Sequence, residues 1–269
     1  GRRKGGGEEE APLLAGFLRG VPFLWPARNL FGIWLATAGL LLAAFFVTDW
    51  WLARNEPPPP PAGPFSVRGW GNVMLVPVLA ASVTIPMAPV PLAIVAGILS
   101  WWITPRAVRR ANDFSWHPMT EVAVLFAGIF ITLEPVSDLL RLGMDGPFAQ
   151  ALRLTLDGAG EVRPVVCFWL AGVLSAFLDN APSYLVFFDL VGIRPETMTA
   201  AQALVLRGIS AGAVMFGGLT YIGNAPNLML RDVASHLGVR MPGFVPFMLF
   251  AAMVMLPVLL VISAAFFPL

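Results

Sequence analysis

Charged residues are so sparse along this chain that the gaps between them mark out its elements. Between Arg28 and Asp49 run twenty uncharged residues, FGIWLATAGLLLAAFFV among them. At about 1.5 Å per residue, such a helix matches a hydrocarbon core of about 30 Å. The stretch NEPPPPPAGP, residues 55–64, cannot continue a helix and predicts a stiff linker outside the membrane. Thirty-seven uncharged residues then separate Arg68 from Arg106. That is too long for one span and enough for two short ones, with the turn near Pro86, Pro89 and Pro91. The basic cluster Arg106, Arg109 and Arg110 follows, which the positive-inside rule assigns to a cytoplasmic loop. Residues 122–133, VAVLFAGIFITL, lie between Glu121 and Glu134. Twelve helical residues cover only about 18 Å, so the span needs its flanks, or it is broken or tilted. Seven charges between 138 and 163 predict an interfacial stretch with room for a short amphipathic helix.

From Pro164 the pattern changes. PVVCFWLAGVLSAFL gives fifteen uncharged residues, then come Asp179-Asn180-Ala181-Pro182, SYLVFF and Asp189. Fifteen helical residues reach about 22 Å, which places Asp179 well inside the membrane if Pro164 starts near an interface. After the polar stretch GIRPETMT, a second apolar run leads into Gly223-Asn224-Ala225-Pro226 and Asn227. PGFVPFMLFAAMVMLPVLLVISAAFF supplies a last plain span, with Pro257 placed to kink it. The opening GRRKGGGEEE reads as a flexible tail or truncation junction over residues 1–11, ahead of one membrane domain over 12–269.

Composition agrees with this picture. Hydrophobic residues make up 57% of the 269 and charged ones 12%, against about 25% charged in ordinary soluble domains. A net charge of +1 gives no field that would point to nucleic acid. The lone Cys167, inside an apolar run, reads as a small buried side chain. His117 and His236 have no partners at ligand spacing, and there is no nucleotide fingerprint or hydrolase triad, which argues against an enzyme or an ATP-driven pump. No cofactor is expected.

The two Asn-Ala-Pro tripeptides, forty-four residues apart, carry the chemistry. Asn is a favoured N-cap and Pro suits a first helical turn, so each tripeptide reads as a helix start. Both starts fall within apolar sequence. Unpaired backbone in hydrocarbon costs several kcal/mol per group, so broken helices persist only where protein covers them or water reaches them. Transporters use such ends to bind ions and anions near the midplane. Asp179 sharpens the case, because an acid at that depth usually faces a cavity. It could hold Na⁺ with the amide oxygens of Asn180, Asn224 and Asn227, or it could carry a proton. The plainer alternative is an interfacial helix cap. Ala181, Pro182, Thr220, Gly223 and Ala225 complete the candidate site, Tyr221 could line the same cavity, and Glu121 and Ser183 are accessory candidates. Gly208 and Gly212 form a small-xxx-small pair suited to close helix approach, while Gly217, Gly218 and Gly223 permit unwound backbone. Arg207 is expected to snorkel to an interface.

The stretches HPMTEVAVLFAGIFITLEP, FWLAGVLSAFLDNAPSYLVFF and ISAGAVMFGGLTYIGNAPNLML resemble the ion-transporter superfamily, within it the citrate-transport or sodium:proton antiporter-like branch akin to NhaD-type antiporters. With PLLAGFLRGVPFLW the resemblance covers about residues 12–267. It implies two inverted repeats, each giving a re-entrant hairpin and a broken helix to a central site, and a homodimer. It sets the second repeat's hairpin tip at Asp179–Pro182 and its broken helix at Tyr221–Asn227. The first repeat's tips are expected ahead of PLLAGFLRG, so this chain is expected to be a C-terminal part. Glu134 stands where the resemblance implies an apolar residue.

The resulting expectation is an all-α polytopic protein of the plasma (inner) membrane, with about seven transmembrane or re-entrant segments. Its expected function is Na⁺/H⁺ antiport by alternating access, with Asp179 as the titrating ligand. The rivals are cation-coupled transport of citrate or another carboxylate, and an inactive truncated fragment.

Overall fold

A computed structural model describes residues 19–22, 24–54, 69–82, 89–111, 116–236 and 238–267. The tail, the proline linker and Pro86 lie outside these residues, as do the side chains of Glu121, Ala225, His117 and His236. The described chain is helical, with one isolated bridge between Leu156 and Val162. It forms two compact units, residues 54–120 and residues 1–53 with 121–269.

The smaller unit is built on α2 (Trp70–Ser82) and α3 (Pro89–Ile103), the two short helices the proline split predicts, followed by α4 (Arg106–Ala111). Asn72 donates to Thr104 Oγ1 at 2.7 Å, which ties the start of α2 to the end of α3. Arg109 closes α3 by donating to the carbonyls of Trp101 and Thr104, and its guanidinium lies 4.3 Å over the Trp101 ring. A cation at a helix C-terminus is favourable on both counts.

The larger unit begins with α1 (Trp25–Ala53), whose uninterrupted apolar sequence leaves nothing to end the helix before Asp49. Only Ile33 and Thr37 of α1 are buried, while Phe31, Trp34, Phe45 and Phe46 stand exposed, as lipid-facing side chains do. Thr37 donates to the Ile33 carbonyl at 2.8 Å and approaches Met215 Sδ at 3.4 Å. The next helix, α5 (His117–Leu140), carries VAVLFAGIFITL without a break, so its flanks supply the missing length. The polar stretch after it holds the short helix α6 (Ala149–Thr155). Before α7 (Pro164–Leu178), backbone N–H groups of Glu161 and Ala159 bind the Asp157 carboxylate and hold it below its usual range.

Two further helices, α8 (Asn180–Leu190) and α9 (Ala200–Met215), pack against α7; beyond α10 (Ala225–His236), α11 (Phe244–Phe266) packs against α1 and the turn at Phe216–Leu219. Thr199 and Gln202 start α9 with a reciprocal capping box at 3.2 Å in each direction. Hydrocarbon solvent supplies no hydrophobic drive between helices, so close packing must hold them together. Gly208 and Gly212 make it possible: a Cβ at Gly208 would stand 2.5 Å from the Pro164 carbonyl oxygen, and one at Gly212 2.1 Å from that of Phe168. Phe216 seats its ring against Gly172 and packs edge-on to Phe168 and Trp169, with centroids 5.4 and 5.3 Å away. Cys167 is fully buried in this seam.

Among the described residues three helices are long and apolar enough to cross a membrane: Trp25–Ala53, Ala200–Leu219 and Phe244–Phe266. Three shorter apolar helices lie at Trp70–Leu79, Pro91–Ile103 and Pro164–Leu178.

Candidate functional site

The first break is a single residue. α7 ends at Leu178, α8 starts at Asn180, and Asp179 between them has φ 76° and ψ 166°. Among the described residues Asp179 is the one non-glycine with positive φ. That region belongs almost wholly to glycine and costs a side-chain residue about 1–3 kcal/mol. Local bonds hold it there. The Asp179 N–H donates to Ser175 O at 3.2 Å, Ser183 Oγ donates to the Asp179 carbonyl at 2.8 Å, and Asp179 Oδ1 accepts from Asn180 N at 2.6 Å. The helix cap is therefore Asp179, and Asn180 is the first helical residue, which corrects the expectation drawn from the Asn-Ala-Pro pattern. The carboxylate is short enough to bond the adjacent N–H, so it displaces Asn180 from the cap. Pro182 keeps its expected place in the first turn of α8.

The second break is longer. α9 tightens into a 3₁₀ turn at Phe216–Leu219, the backbone is irregular through Asn224, and helix resumes at Ala225. Its polar groups bond inward. Thr220 Oγ1 donates to the carbonyl of Ala176 in the last turn of α7 and accepts from Gly223 N at 2.9 Å. Asn227 Nδ2 donates to the carbonyls of Gly217 and Thr220, at 2.9 and 3.0 Å. Thr220 and Asn227 thus satisfy carbonyls that helix ends leave without partners. Gly217 and Gly223 provide space here rather than unusual dihedrals. A Cβ at Gly217 would lie 2.7 Å from Asn180 Oδ1, and one at Gly223 would lie 2.8 Å from the Ala176 carbonyl oxygen. The two breaks are in contact, since Asn180 Oδ1, which accepts from Ser175 Oγ at 3.1 Å, lies against Gly217.

A cleft of about 570 Å³ opens beside the first break. Thr132, Leu133 and Val136 of α5 form one wall, and Phe177 and Leu178 of α7 another. Asp179, with Pro182 and Val186 of α8, closes the end, and Ile222 and Leu228 enter from the second break. Of the candidates named from the sequence, Asp179 and Pro182 line this cleft. Asn180, Ser183, Thr220, Gly223 and Asn227 build the scaffold behind it, where Ala181 is also buried. Tyr221 is directed elsewhere: it stacks on Phe247 at 3.9 Å between centroids and donates to the Pro242 carbonyl at 3.1 Å. Asn224 is half-buried at the end of the irregular stretch, and Ala225 starts α10. Glu121 lies in the first turns of α5, with its side chain undescribed.

The sequence reading did not anticipate the α5 wall or the far end of α8. There Asp189, 7% exposed, meets Arg19 at 2.8 Å and Arg141 at 3.3 Å. Its position ten residues after Asp179, in apolar sequence, was the available signal. Arg207 is half-buried, and its Nε is buried without a hydrogen-bond partner among the described residues.

Two touching helix breaks, one of them acidic and beside a cleft, thus lie among apolar helices. The chain belongs to the putative citrate transport family, whose profile matches residues 9–267. Comparison with curated proteins and with solved structures gives no match.

Proposed function

We propose that this chain forms the ion-binding part of a secondary transporter that exchanges Na⁺ for H⁺ at Asp179 by alternating access. The observation that carries this reading is the Asp179 carboxylate: it sits at a strained helix break, and it is the one ionisable side chain among the described residues lining the cleft. With no cation among the described residues that line the cleft, the carboxylate favours positive cargo. One oxygen accepts from Asn180 N, and the other is outside the bonds that fix the break. Exchange of a proton for a cation on that oxygen, with the hairpin facing one side and then the other, is the antiport step. Ser183, Thr220 and Asn227 position the break and do not bind cargo themselves. Assembly as a homodimer in the plasma membrane fits the same reading.

The test is proton flux in proteoliposomes on adding Na⁺, with Asp179→Asn beside the native chain. The expected result is a Na⁺-driven flux in the native protein and its loss in the variant. Equal flux in both would remove Asp179 from the mechanism.

A second reading has its own support in the family description: citrate or another carboxylate carried with the cation. The starts of α8 and α10 offer helix N-termini to such an anion. Uptake of labelled citrate without Na⁺-driven proton flux would favour it. Absence of both activities would favour an inactive fragment.

A further inference from the structure

An acid stands at each end of α8: Asp179 caps its start, and Asp189 is its last residue but one. The second is badly placed for the helix by itself, because a helix C-terminus carries partial negative charge. Two arginines from outside α8 offset this. Arg19, ahead of α1, donates to Asp189 Oδ2 at 2.8 Å, and Arg141, one residue past α5, donates to Oδ1 at 3.3 Å. Both are anchored. The Arg141 N–H donates to the Ser137 carbonyl at 3.0 Å, which continues the last turn of α5. Next to Arg19, Val21 is buried in the same apolar core as Leu190 and Ile193, and a Cβ on Gly20 would lie 3.7 Å from the Pro195 Cβ. Residues 19–22 thus form a strap against the far end of α8 and the loop that follows it.

The eleven residues of α8 make a rod of about 16 Å between the two acids. Sliding that rod past α5 draws Asp189 out from between the arginines. Parting a buried ion pair is costly, which holds the rod in place. The cost is not prohibitive, since the Arg19 and Arg141 side chains are 24% and 48% exposed and water meets them as the bonds open. We propose that Asp189, Arg19 and Arg141 form a charge latch that holds the hairpin in the state the structure shows and opens in each exchange cycle. The inference rests on the alternating-access reading and deepens it by naming a contact that must break. Its rival is a fixed ion pair that only braces the fold.

Two experiments separate them. Leu228, on the cleft, is exposed in this state, so labelling of Leu228→Cys by a charged methanethiosulfonate reads how much of the state is populated. Adding Asp189→Asn or Arg141→Gln should slow labelling about threefold or more as other states gain population, and Asp189→Glu, which keeps the charge, should restore the rate. A brace predicts an unchanged rate, or a faster one from a loosened fold, and either would overturn the latch. The second experiment keeps all three charges and so stands even if the neutral variants fail to fold. A 3.7 Å Cβ separation lies within the range of about 3.5–4.5 Å for disulfides, so Gly20→Cys with Pro195→Cys should tie the strap down on oxidation. The latch predicts that oxidation stops Na⁺-driven proton flux in proteoliposomes and that reduction restores it. Equal flux in both forms would overturn the latch and leave the antiport reading intact. Absence of flux in the native chain would overturn the antiport reading, and the labelling rates would then decide the latch alone.

Discussion

The two helix breaks share the tripeptide Asn-Ala-Pro and differ in almost everything it was expected to fix. In the first, an acid takes the cap, the backbone is forced into a glycine-like conformation at one residue, and the carboxylate faces a cleft. In the second, neutral groups spread the break over several residues, and their hydrogen bonds run back into the fold. The difference assigns the labour. The second break is the brace that satisfies the end of α7, and the first break is the strained tip it supports. A charge can be left facing a cleft because Thr220 and Asn227 leave few neighbouring carbonyls without a partner.

The largest effect is expected where both breaks depend on one seam. Gly212→Leu would drive a side chain into the Phe168 carbonyl, which is rigid backbone, and should cost about 3 kcal/mol or more. The check is loss of a monodisperse protein peak in detergent, whereas Gly97→Leu, with open space around it, should leave the peak unchanged.

Next comes the strained tip. Asp179→Gly relieves the positive φ and should be more stable than Asp179→Ala by about 1–3 kcal/mol, read as thermal unfolding in detergent. Both should lack cation-driven flux. A glycine variant no more stable than the alanine one would mean the tip holds no strain.

The brace is tested by Thr220→Val, a near-isosteric change that removes the donor to Ala176 and the acceptor for Gly223 N. It should cost about 1–3 kcal/mol, as leaving buried polar groups unpaired does. Asn224→Ala, which removes no side-chain bond among those that hold the break, should stay within about 0.5 kcal/mol. If the two costs were reversed, the assignment of labour would be wrong.

The smallest effect lies outside both breaks. The Asp157 carboxyl is held low by backbone N–H groups, so it contributes stability above its unfolded-state value, and that contribution is lost as pH falls through the lowered folded value. Asp157→Ala should therefore differ slightly from the native protein at neutral pH and converge with it in acid, in thermal scans across pH.

Much of the fold was legible because hydrocarbon solvent makes sequence patterns blunt. The apolar gap after Arg28, the presence of two short helices between Arg68 and Arg106 and the interruptions at Asp179 and Asn224 all follow from length and charge, although Pro89 and Pro91 start α3 and do not form the turn expected near them. The seam was visible in Gly208 and Gly212 for the same reason. The cap at Asp179 was legible only as the plainer alternative, since Asn and Asp are about equally good caps and only the geometry decides between adjacent residues. Tyr221 illustrates another limit. An aromatic partner on α11 and a carbonyl at Pro242 hold it away from the cleft, and such partners lie far along the chain. The contribution of α5 to the cleft was hidden likewise, because Leu133 and Val136 look like any lipid-facing residues until α8 is placed beside them.

Labelling of introduced cysteines in membranes addresses the central claim most directly. Native Cys167 is fully buried, so background reaction should be low. If Asp179 and the second break share a water-reachable cleft, Asp179→Cys and Leu228→Cys should both react with a charged methanethiosulfonate, while Phe46→Cys on the lipid-facing side of α1 should not. Silence at both cleft positions, or reaction at Phe46 as fast as at Asp179, would contradict the account.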